Sequence, residues 1–117
     1  MDPALSLALA AIVERLSANS GTIHLLGPDG ALHLKAATPG IPQFVLDAVR
    51  VVPAGKGMAG LAFERNHPVD ACNIQTDASG DVRPGARATG LQGAIVVPIR
   101  RADGSAAGVL GVANFAM

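Results

Sequence analysis

Two arginines that could bind an anion lie in the long segment from Gln75 to Gly90, which lacks a regular hydrophobic pattern. Arg83 and Arg87 lie four residues apart in it, and Asp77 and Asp81 precede them. An arginine guanidinium group can hold a carboxylate or a phosphate through two parallel hydrogen bonds. If the segment folds over a pocket, we expect an arginine to contact a bound anion. The alternative is a loop whose charges balance internally.

The single cysteine, Cys72, is the other side chain that could take part in chemistry. Thiol redox catalysis passes through a mixed disulfide that a second thiol resolves, and the chain has no second cysteine. A lone cysteine in a strand usually packs as a small hydrophobic residue. We therefore assign no catalytic residue and keep Cys72 only as a candidate redox thiol.

A glycine-rich phrase, GKGMAG at residues 55–60, has the G-x-G-x-x-G spacing of a dinucleotide-binding fingerprint. That fingerprint needs a preceding strand, a long helix and a returning parallel strand. The helix that begins here must end before Pro68, which is too early for such a unit. Tight turning and close packing explain the glycines better. The first N–H groups of this helix could still bind an anionic ligand.

The three histidines, His24, His33 and His67, do not have the spacing of metal ligands on one helix. No Ser-His-Asp or paired-carboxylate arrangement can be assembled from the sequence without knowing which side chains are close in space. We predict no metal site. The sequence does not identify a cofactor.

The composition predicts one small cytoplasmic domain. The 117 residues are 50% hydrophobic with three phenylalanines and no tryptophan or tyrosine, so Ala, Val, Leu and Ile must build the core. Nine basic residues balance nine acidic ones, which argues against nucleic acid and against an anionic membrane surface as partners. One cysteine and an acidic start favour the cytoplasm. We expect an N-terminal helix over 1–19 and a sheet-and-helix core over 20–117.

Hydrophobic periodicity and turn residues predict the elements that must position these side chains. Asp2 and Pro3 begin the first helix, and the segments 27–30 and 102–105 are the turns of two hairpins. In the first hairpin, the alternation places Leu32, Leu34 and Ala36 together on a buried face. The further predicted elements are strands at 22–26 and 31–36, a helix at 41–50, a short extended piece at 51–52, a helix at 55–65, a strand at 69–74 and strands at 94–100 and 106–115.

Two further patterns concern the core. In the helix at 41–50, the apolar residues predicted to face inward are Phe44, Val45, Ala48 and Val49. The run 94–97 is apolar on both faces, which is typical of a central strand. Hairpins dominate, so we predict an α+β fold with a mostly antiparallel sheet and helices packed on it. Roadblock-like and profilin-like sandwiches fit the same order of elements.

Four phrases of the chain, in this order, resemble the GAF family of sensory and ligand-binding domains. They are TIHLLGPDG at 22–30, GKGMAGLAF at 55–63, HPV at 67–69 and GLQGAIVVPI at 90–99, and the resemblance covers roughly residues 20–115. It implies a GAF-like (profilin-like) fold, which is a central antiparallel sheet with helices on both faces. It also implies a pocket on one face, roofed by the middle helices and the long loop.

The resemblance suggests a set of pocket residues, and the candidates are Met58, Phe63, Asn73, Asp77, Arg83, Arg87 and Val96. Asn73 stands where many members have Asp, and the residues that mark cyclic-nucleotide-binding members do not match. The cysteine and histidine setting of bilin-attaching members is not evident either. Members that reduce free methionine sulfoxide use cysteines, and Met58 stands where we would expect one of them.

Together these features predict a non-catalytic sensor or signalling module that binds an unidentified small molecule. Members usually finish with a helix that is not seen here after the last strand, so we expect an apolar sheet face to need a cover. A homodimer, or a signalling protein partner, would bury that face together with the first helix. The alternatives are an assembly module with a vestigial pocket and a degenerate free methionine sulfoxide reductase.

Overall fold

Two hairpins and one short edge strand at each side form a single six-stranded sheet. The computed structural model describes residues 2–71 and 93–114. The strand order is β3-β2-β1-β6-β5-β4, and every described pair is antiparallel. The predicted α+β class with an antiparallel sheet is confirmed. The elements are α1 (Pro3–Arg15), β1 (Ser20–Leu26), β2 (Leu32–Ala37), α2 (Gln43–Ala48), β3 (Val51–Val52), α3 (Gly57–Arg65), β4 (Val69–Ala71), β5 (Gly93–Arg100) and β6 (Ala106–Asn114).

Helix α1 begins as the sequence predicts. The Asp2 carboxylate accepts hydrogen bonds from the backbone N–H groups of Ala4 and Leu5, which satisfies two donors that the first helical turn leaves free. The helix ends at Arg15, earlier than predicted, because Ser17 adopts a left-handed φ of 54°. Leu9 and Val13 face the sheet and are buried.

The sheet is covered by helices on both faces. On one face, α1 packs over β1 and β2, and the cluster buried beneath it contains Leu9, Val13, Ile23 and Ala36. On the other face, α3 packs over β5 and β6, and the cluster beneath it contains Leu32, Val52, Met58, Ala62, Val69, Val96 and Val109. We call these the α1 face and the α3 face of the sheet. The predicted cover on both sides is therefore confirmed.

One irregularity in β2 contradicts the predicted alternation. Ile23 of β1 pairs with Ala36, but the next residue, His24, pairs with Leu34, so Lys35 is an extra residue in β2. A β-bulge of this kind shifts the residues beyond it to the opposite face. Leu32 consequently lies in the cluster of the α3 face and Ala36 in that of the α1 face. The prediction that they share one face was wrong.

Helix α2 is shorter than the predicted segment and buries less of it. Val45 is buried and Val49 packs partly against the α3-face cluster, as predicted. Phe44 and Ala48 were also predicted to face inward, but both are exposed, Phe44 to 60%. Adjacent positions of a helix point about 100° apart, so the face that turns Val45 and Val49 toward the sheet turns their neighbours away.

Strand β5 does not lie at the centre of the sheet. It is flanked by β6 and by β4, and β4 pairs with it only over Val69–Ala71. The central strands are β1 and β6. Ile95 of β5 points to the α1 face, opposite to buried Val96, and is 40% exposed. Helix α1 therefore leaves the β5 end of this face open.

Candidate functional site

The glycine-rich phrase forms the turn that starts α3. Gly55 and Gly57 both have left-handed backbone conformations, with φ values of 82° and 64°, which side-chain-bearing residues rarely adopt. Gly60 lies so close to the Pro53 carbonyl oxygen that a Cβ atom would collide with it. The strand that follows α3 pairs antiparallel with its neighbour. Conformation and packing thus account for these glycines, and a dinucleotide-binding unit is excluded.

The far end of α3 is held to the β5–β6 hairpin. Asn66, in a left-handed conformation with φ 51°, ends the helix. The Arg100 guanidinium group donates to the Asn66 side-chain oxygen at 2.9 Å and to its backbone oxygen at 2.7 Å. The Asn66 amide in turn donates to the Gly104 carbonyl at 2.8 Å. These bonds fix how α3 lies over the sheet.

Three of the predicted pocket residues come together between α3 and the sheet. Met58 and Val96 are buried in the α3-face cluster, and Phe63 packs against it half-buried. They reach this place from two elements, since Met58 and Phe63 lie on α3 and Val96 on β5. In this structure they are packed hydrophobic side chains, so any ligand would lie beside them.

Beside this cluster, the sheet surface consists of small residues. Ala94 pairs with Ala113 across β5 and β6, and Gly111 pairs with Thr22 across β6 and β1. A Cβ atom at Gly111 would lie 3.4 Å from Thr22 Oγ1 and 3.5 Å from Val96 Cγ2, so this position is on the α3 face. All four residues are partly exposed. We call Thr22, Ala94, Gly111 and Ala113 the small-residue floor.

A buried histidine lies next to this floor. His24 follows Thr22 by two residues in β1, so both side chains lie on the α3 face. Only 3% of His24 is exposed. Its Nε2 atom is 2.8 Å from the Val49 carbonyl oxygen, and a carbonyl only accepts, so Nε2 must carry the proton and donate. Burial lowers the pKa of His24, partly offset by this hydrogen bond, and the ring is therefore neutral.

The other ring nitrogen of His24 is unusual because it has no partner. Nδ1 is buried and makes no hydrogen bond with the described residues. With the proton on Nε2, Nδ1 is an acceptor. Buried polar atoms are nearly always hydrogen-bonded in folded proteins, so this atom calls for an explanation. The sequence reasoning considered His24 only as a metal ligand and did not single it out.

A comparison with known families decides what kind of domain this is. The family model for GAF domains matches residues 1–116. The chain belongs to the GAF domain family. The six-stranded antiparallel sheet with helices on both faces agrees with that assignment. No curated protein matches the chain.

Solved structures of GAF domains and of related proteins share the fold at low identity. The NreA protein of Staphylococcus aureus, mutated in its nitrate-binding site, superposes with a TM-score of 0.79 and 16% identity over 97% of this chain and 87% of that chain. The GAF domain of a phosphoenolpyruvate-protein phosphotransferase from Coxiella burnetii gives 0.74 and 23% over 97% and 66%. A type II free methionine-R-sulfoxide reductase from Thermoplasma acidophilum gives 0.73 and 19% over 96% and 72%.

The remaining predicted site residues of this GAF domain lie outside the described residues. They are Cys72, Asn73, Asp77, Arg83 and Arg87. The described residues on either side of the segment that carries them are Ala71 of β4 and Gly93 of β5. Ala71 pairs with Ala94, so both ends of this segment adjoin the small-residue floor.

A further polar contact of the GAF domain lies in the first hairpin. His33 bonds to Asp29 in the first hairpin turn at 2.9 Å, and this hydrogen bond, with one from the Ala31 backbone, lowers the pKa of Asp29. Among residues 2–71 and 93–114, no three His, Cys, Asp or Glu side chains are grouped as metal ligands. Within the same residues, no helix is both long and apolar enough to cross a membrane.

Proposed function

We propose that this GAF domain is a non-catalytic sensor module that binds a small molecule on the α3 face of its sheet. The observation that carries the proposal is the small-residue floor. Ligand sites in proteins are concave, mainly apolar, and contain a few convergent polar groups. The floor is a partly exposed surface without large side chains, next to the buried cluster of Met58, Val96 and half-buried Phe63.

The side chains of the floor are small because of the residue types that β6 places there. On the α3 face, β6 presents Val109, then Gly111, then Ala113, and only Val109 is fully buried. A larger residue at Gly111 would fill the space between Thr22 and Val96. The missing side chain leaves room for a ligand at the middle of the sheet.

Polar contacts from residues 72–92 would complete this site. We assign Asn73, Asp77, Arg83 and Arg87 to it, because both ends of their segment adjoin the floor at Ala71 and Gly93. The arginines would then pair with acidic groups of the ligand.

Binding is favoured over catalysis because the chain has a single cysteine, Cys72. The fold is shared with a methionine-R-sulfoxide reductase from Thermoplasma acidophilum, but 19% identity transfers no activity. Thiol-dependent reduction needs a resolving thiol. One cysteine and balanced charge also support a cytoplasmic protein.

The proposal is tested with two variants that each add one carbon atom at neighbouring positions of β6. Gly111→Ala adds it on the α3 face and Val112→Ile on the α1 face, where Val112 packs against the α1-side cluster. Native mass spectrometry of protein purified from cells identifies any retained molecule, and a metabolite library screened by melting temperature finds others. The molecule identified is then titrated into both variants.

We expect Gly111→Ala to weaken binding about tenfold, since forcing a methyl group into a filled site costs about 1 to 3 kcal/mol. Val112→Ile should bind like the wild type. Equal affinities in both variants would place the ligand elsewhere. If no molecule is retained and none raises the melting temperature, the binding proposal is wrong.

A second candidate function, a protein-interaction module acting as a homodimer, is favoured by exposed apolar residues on the other side. Leu7, on the outer side of α1, is 76% exposed, and Ile95 lies on the open part of the α1 face. Exposed apolar patches are typical of interfaces. A second copy would bury both residues.

Sedimentation equilibrium measures directly whether the chain forms this homodimer. If α1 forms the interface, Leu7→Glu should convert a dimer into a monomer. Phe44→Glu, which introduces the same charge at a comparably exposed residue of α2, should leave the dimer intact. A wild-type chain that stays monomeric at high micromolar concentration rules the dimer out.

A further inference from the structure

Helix α3 and the small-residue floor meet at one apolar cluster. Met58 of α3 belongs to the buried cluster of the α3 face, and Phe63 of α3 packs against it. The floor residues Ala94 and Ala113 pack partly against the same cluster. The position of α3 over the sheet therefore decides how much space a molecule on the floor has beside the helix.

The start of α3 is fixed by backbone contacts. The Gly55 N–H donates to the Gly60 carbonyl at 3.0 Å, and the Gly60 N–H donates to the Lys56 carbonyl at 3.0 Å. Gly60 also lies against the Pro53 carbonyl oxygen, with no room for a side chain between them. Because this backbone is close-packed, the start of α3 cannot slide over the sheet.

The end of α3 is held by the side chain of Arg100. Its Nε atom donates to Asn66 Oδ1 at 2.9 Å, and its Nη2 atom donates to the Asn66 backbone oxygen at 2.7 Å. Two donors of a rigid, planar group that bind two atoms of one residue fix orientation as well as distance. The Asn66 amide donates in turn to the Gly104 carbonyl at 2.8 Å, so the helix end is tied to the β5–β6 hairpin.

Arg100 lies on the side of the sheet that carries the floor. It follows Ala94 and Val96 along β5 at even spacing, so all three residues lie on the α3 face. Arg100 is exposed, so water competes for its donors and its hydrogen bonds add little to the free energy of unfolding. What these bonds provide is the orientation of α3.

We propose that Arg100 is a positioning residue of the proposed ligand site. By holding Asn66, it keeps α3 at the distance from the small-residue floor that limits the size of an apolar ring bound there. The inference rests on the binding function proposed above and deepens it, because it adds a limit set by α3 to the one set by Gly111.

The test compares two neighbouring arginines. Arg100→Met removes both bonds to Asn66 and keeps a long side chain. Arg101→Met removes the same charge, but among the described residues Arg101 donates only within the hairpin turn, to Ser105 Oγ and to the Ala106 carbonyl, each at 3.2 Å. Asn66→Gly loosens the same contact from the other side, since glycine adopts the left-handed conformation of this position without strain.

Phenol and 2-naphthol serve as probes, because they carry the same hydroxyl group and differ by one fused ring. Each is titrated into the wild type and the three variants, and the amide resonances of Thr22 and Gly111 report binding at the floor. In Arg100→Met the affinity for 2-naphthol relative to phenol should rise about fivefold, because the second ring gains apolar surface to cover. Asn66→Gly should shift this ratio in the same direction, and Arg101→Met should leave it unchanged.

The melting temperature of each variant separates positioning from stabilisation. A merely stabilising role of Arg100 would lower the melting temperature and leave the ratio of affinities as in the wild type. A ratio that stays unchanged in Arg100→Met overturns the inference and leaves the binding proposal intact. If the wild type binds neither probe at the floor, the inference is also wrong, whereas the binding proposal is judged by the retained cellular molecule and by Gly111→Ala.

A measurement without any probe tests the same inference. Residual dipolar couplings of the backbone N–H groups give the orientation of α3 relative to β1 and β6. In Arg100→Met the couplings of α3 should change while those of β1 and β6 stay, and in Arg101→Met all of them should match the wild type. Couplings of α3 that are identical in the wild type and Arg100→Met contradict the role of Arg100.

Discussion

Two glycines of β6, three residues apart, should respond in opposite ways to the same substitution. Gly108 pairs with Leu25 and Gly111 with Thr22 across the central β1–β6 ladder. A Cβ atom at Gly108 would collide with the His24 carbonyl oxygen and lie 2.9 Å from Leu25 Cδ2 and 3.0 Å from Leu25 Cα. At Gly111 the nearest atoms are 3.4 Å and 3.5 Å away.

These distances give the expected magnitudes. Carbon atoms attract best at about 3.5 to 4.0 Å, so Gly108→Ala requires two backbones to separate by more than half an ångström. We expect the free energy of unfolding to fall by about 3 kcal/mol, the upper end for overpacked sites. At Gly111, whose backbone conformation suits any residue, alanine reduces the entropy of the unfolded chain and should stabilise the domain by about 0.5 kcal/mol.

The assay is urea unfolding followed by far-ultraviolet circular dichroism, since the chain has no tryptophan or tyrosine to report by fluorescence. A loss of about 3 kcal/mol lowers the melting temperature by roughly 10 °C or more for a domain of this size. If Gly108→Ala unfolds at the wild-type urea concentration, or if both variants lose the same stability, the close approach of β1 and β6 at His24 is refuted.

Two further predictions concern His24 and Asp2. Burial lowers the pKa of His24, so below about pH 6.5 the unfolded chain binds a proton that the folded chain does not. The contribution of His24 to stability should therefore be complete above that pH. On acidification, the free energy of unfolding should fall by up to about 1.4 kcal/mol per pH unit until the pKa of the folded state is reached. Urea titrations between pH 7.5 and 5.5 measure this slope, and a slope unchanged in His24→Gln assigns it to another group. Asp2→Ala removes both N-cap hydrogen bonds of α1 and should cost about 1 kcal/mol, measured by the same unfolding assay. No change in that variant would show that the cap is replaced by water.

Local signals in the sequence were sufficient for most elements. Asp2 and Pro3 marked the start of α1, and the turn residues between strands marked both hairpins. The glycine phrase at 55–60 was correctly separated from a dinucleotide fingerprint, because Pro68 limits the length of α3. In each case a few adjacent residues determine the conformation, so no tertiary information is needed.

The errors come from tertiary structure. The extra residue Lys35 in β2 moves Leu32 and Ala36 to opposite faces, and nothing in the alternation of β2 itself encodes that bulge. Phe44 fits an apolar stripe, but α2 turns Val45 toward the core and leaves Phe44 exposed. Pattern alone cannot show where a partner strand changes register or where a helix stops.

His24 was overlooked for a related reason. It alternates with Ile23 and Leu25, which pack beneath α1, and alternation usually places such a polar residue in solvent. The sequence predicted the central strand at 94–97, whereas β1 and β6 lie at the centre of the sheet. A central strand covered by helices on both faces has no solvent side, so a histidine in its middle must be buried.

Fold alone does not determine what a GAF domain binds. Solved structures at 14–23% identity share the sheet and its helices with this chain. The shared fold gives them the same sheet face, but the side chains on that face differ from protein to protein. On that face this chain has a glycine at position 111. The missing side chain at Gly111 leaves space beside Thr22 and Val96. In the proposed site, a larger residue at this position would fill that space, so the residue type at position 111 would limit the size of the ligand.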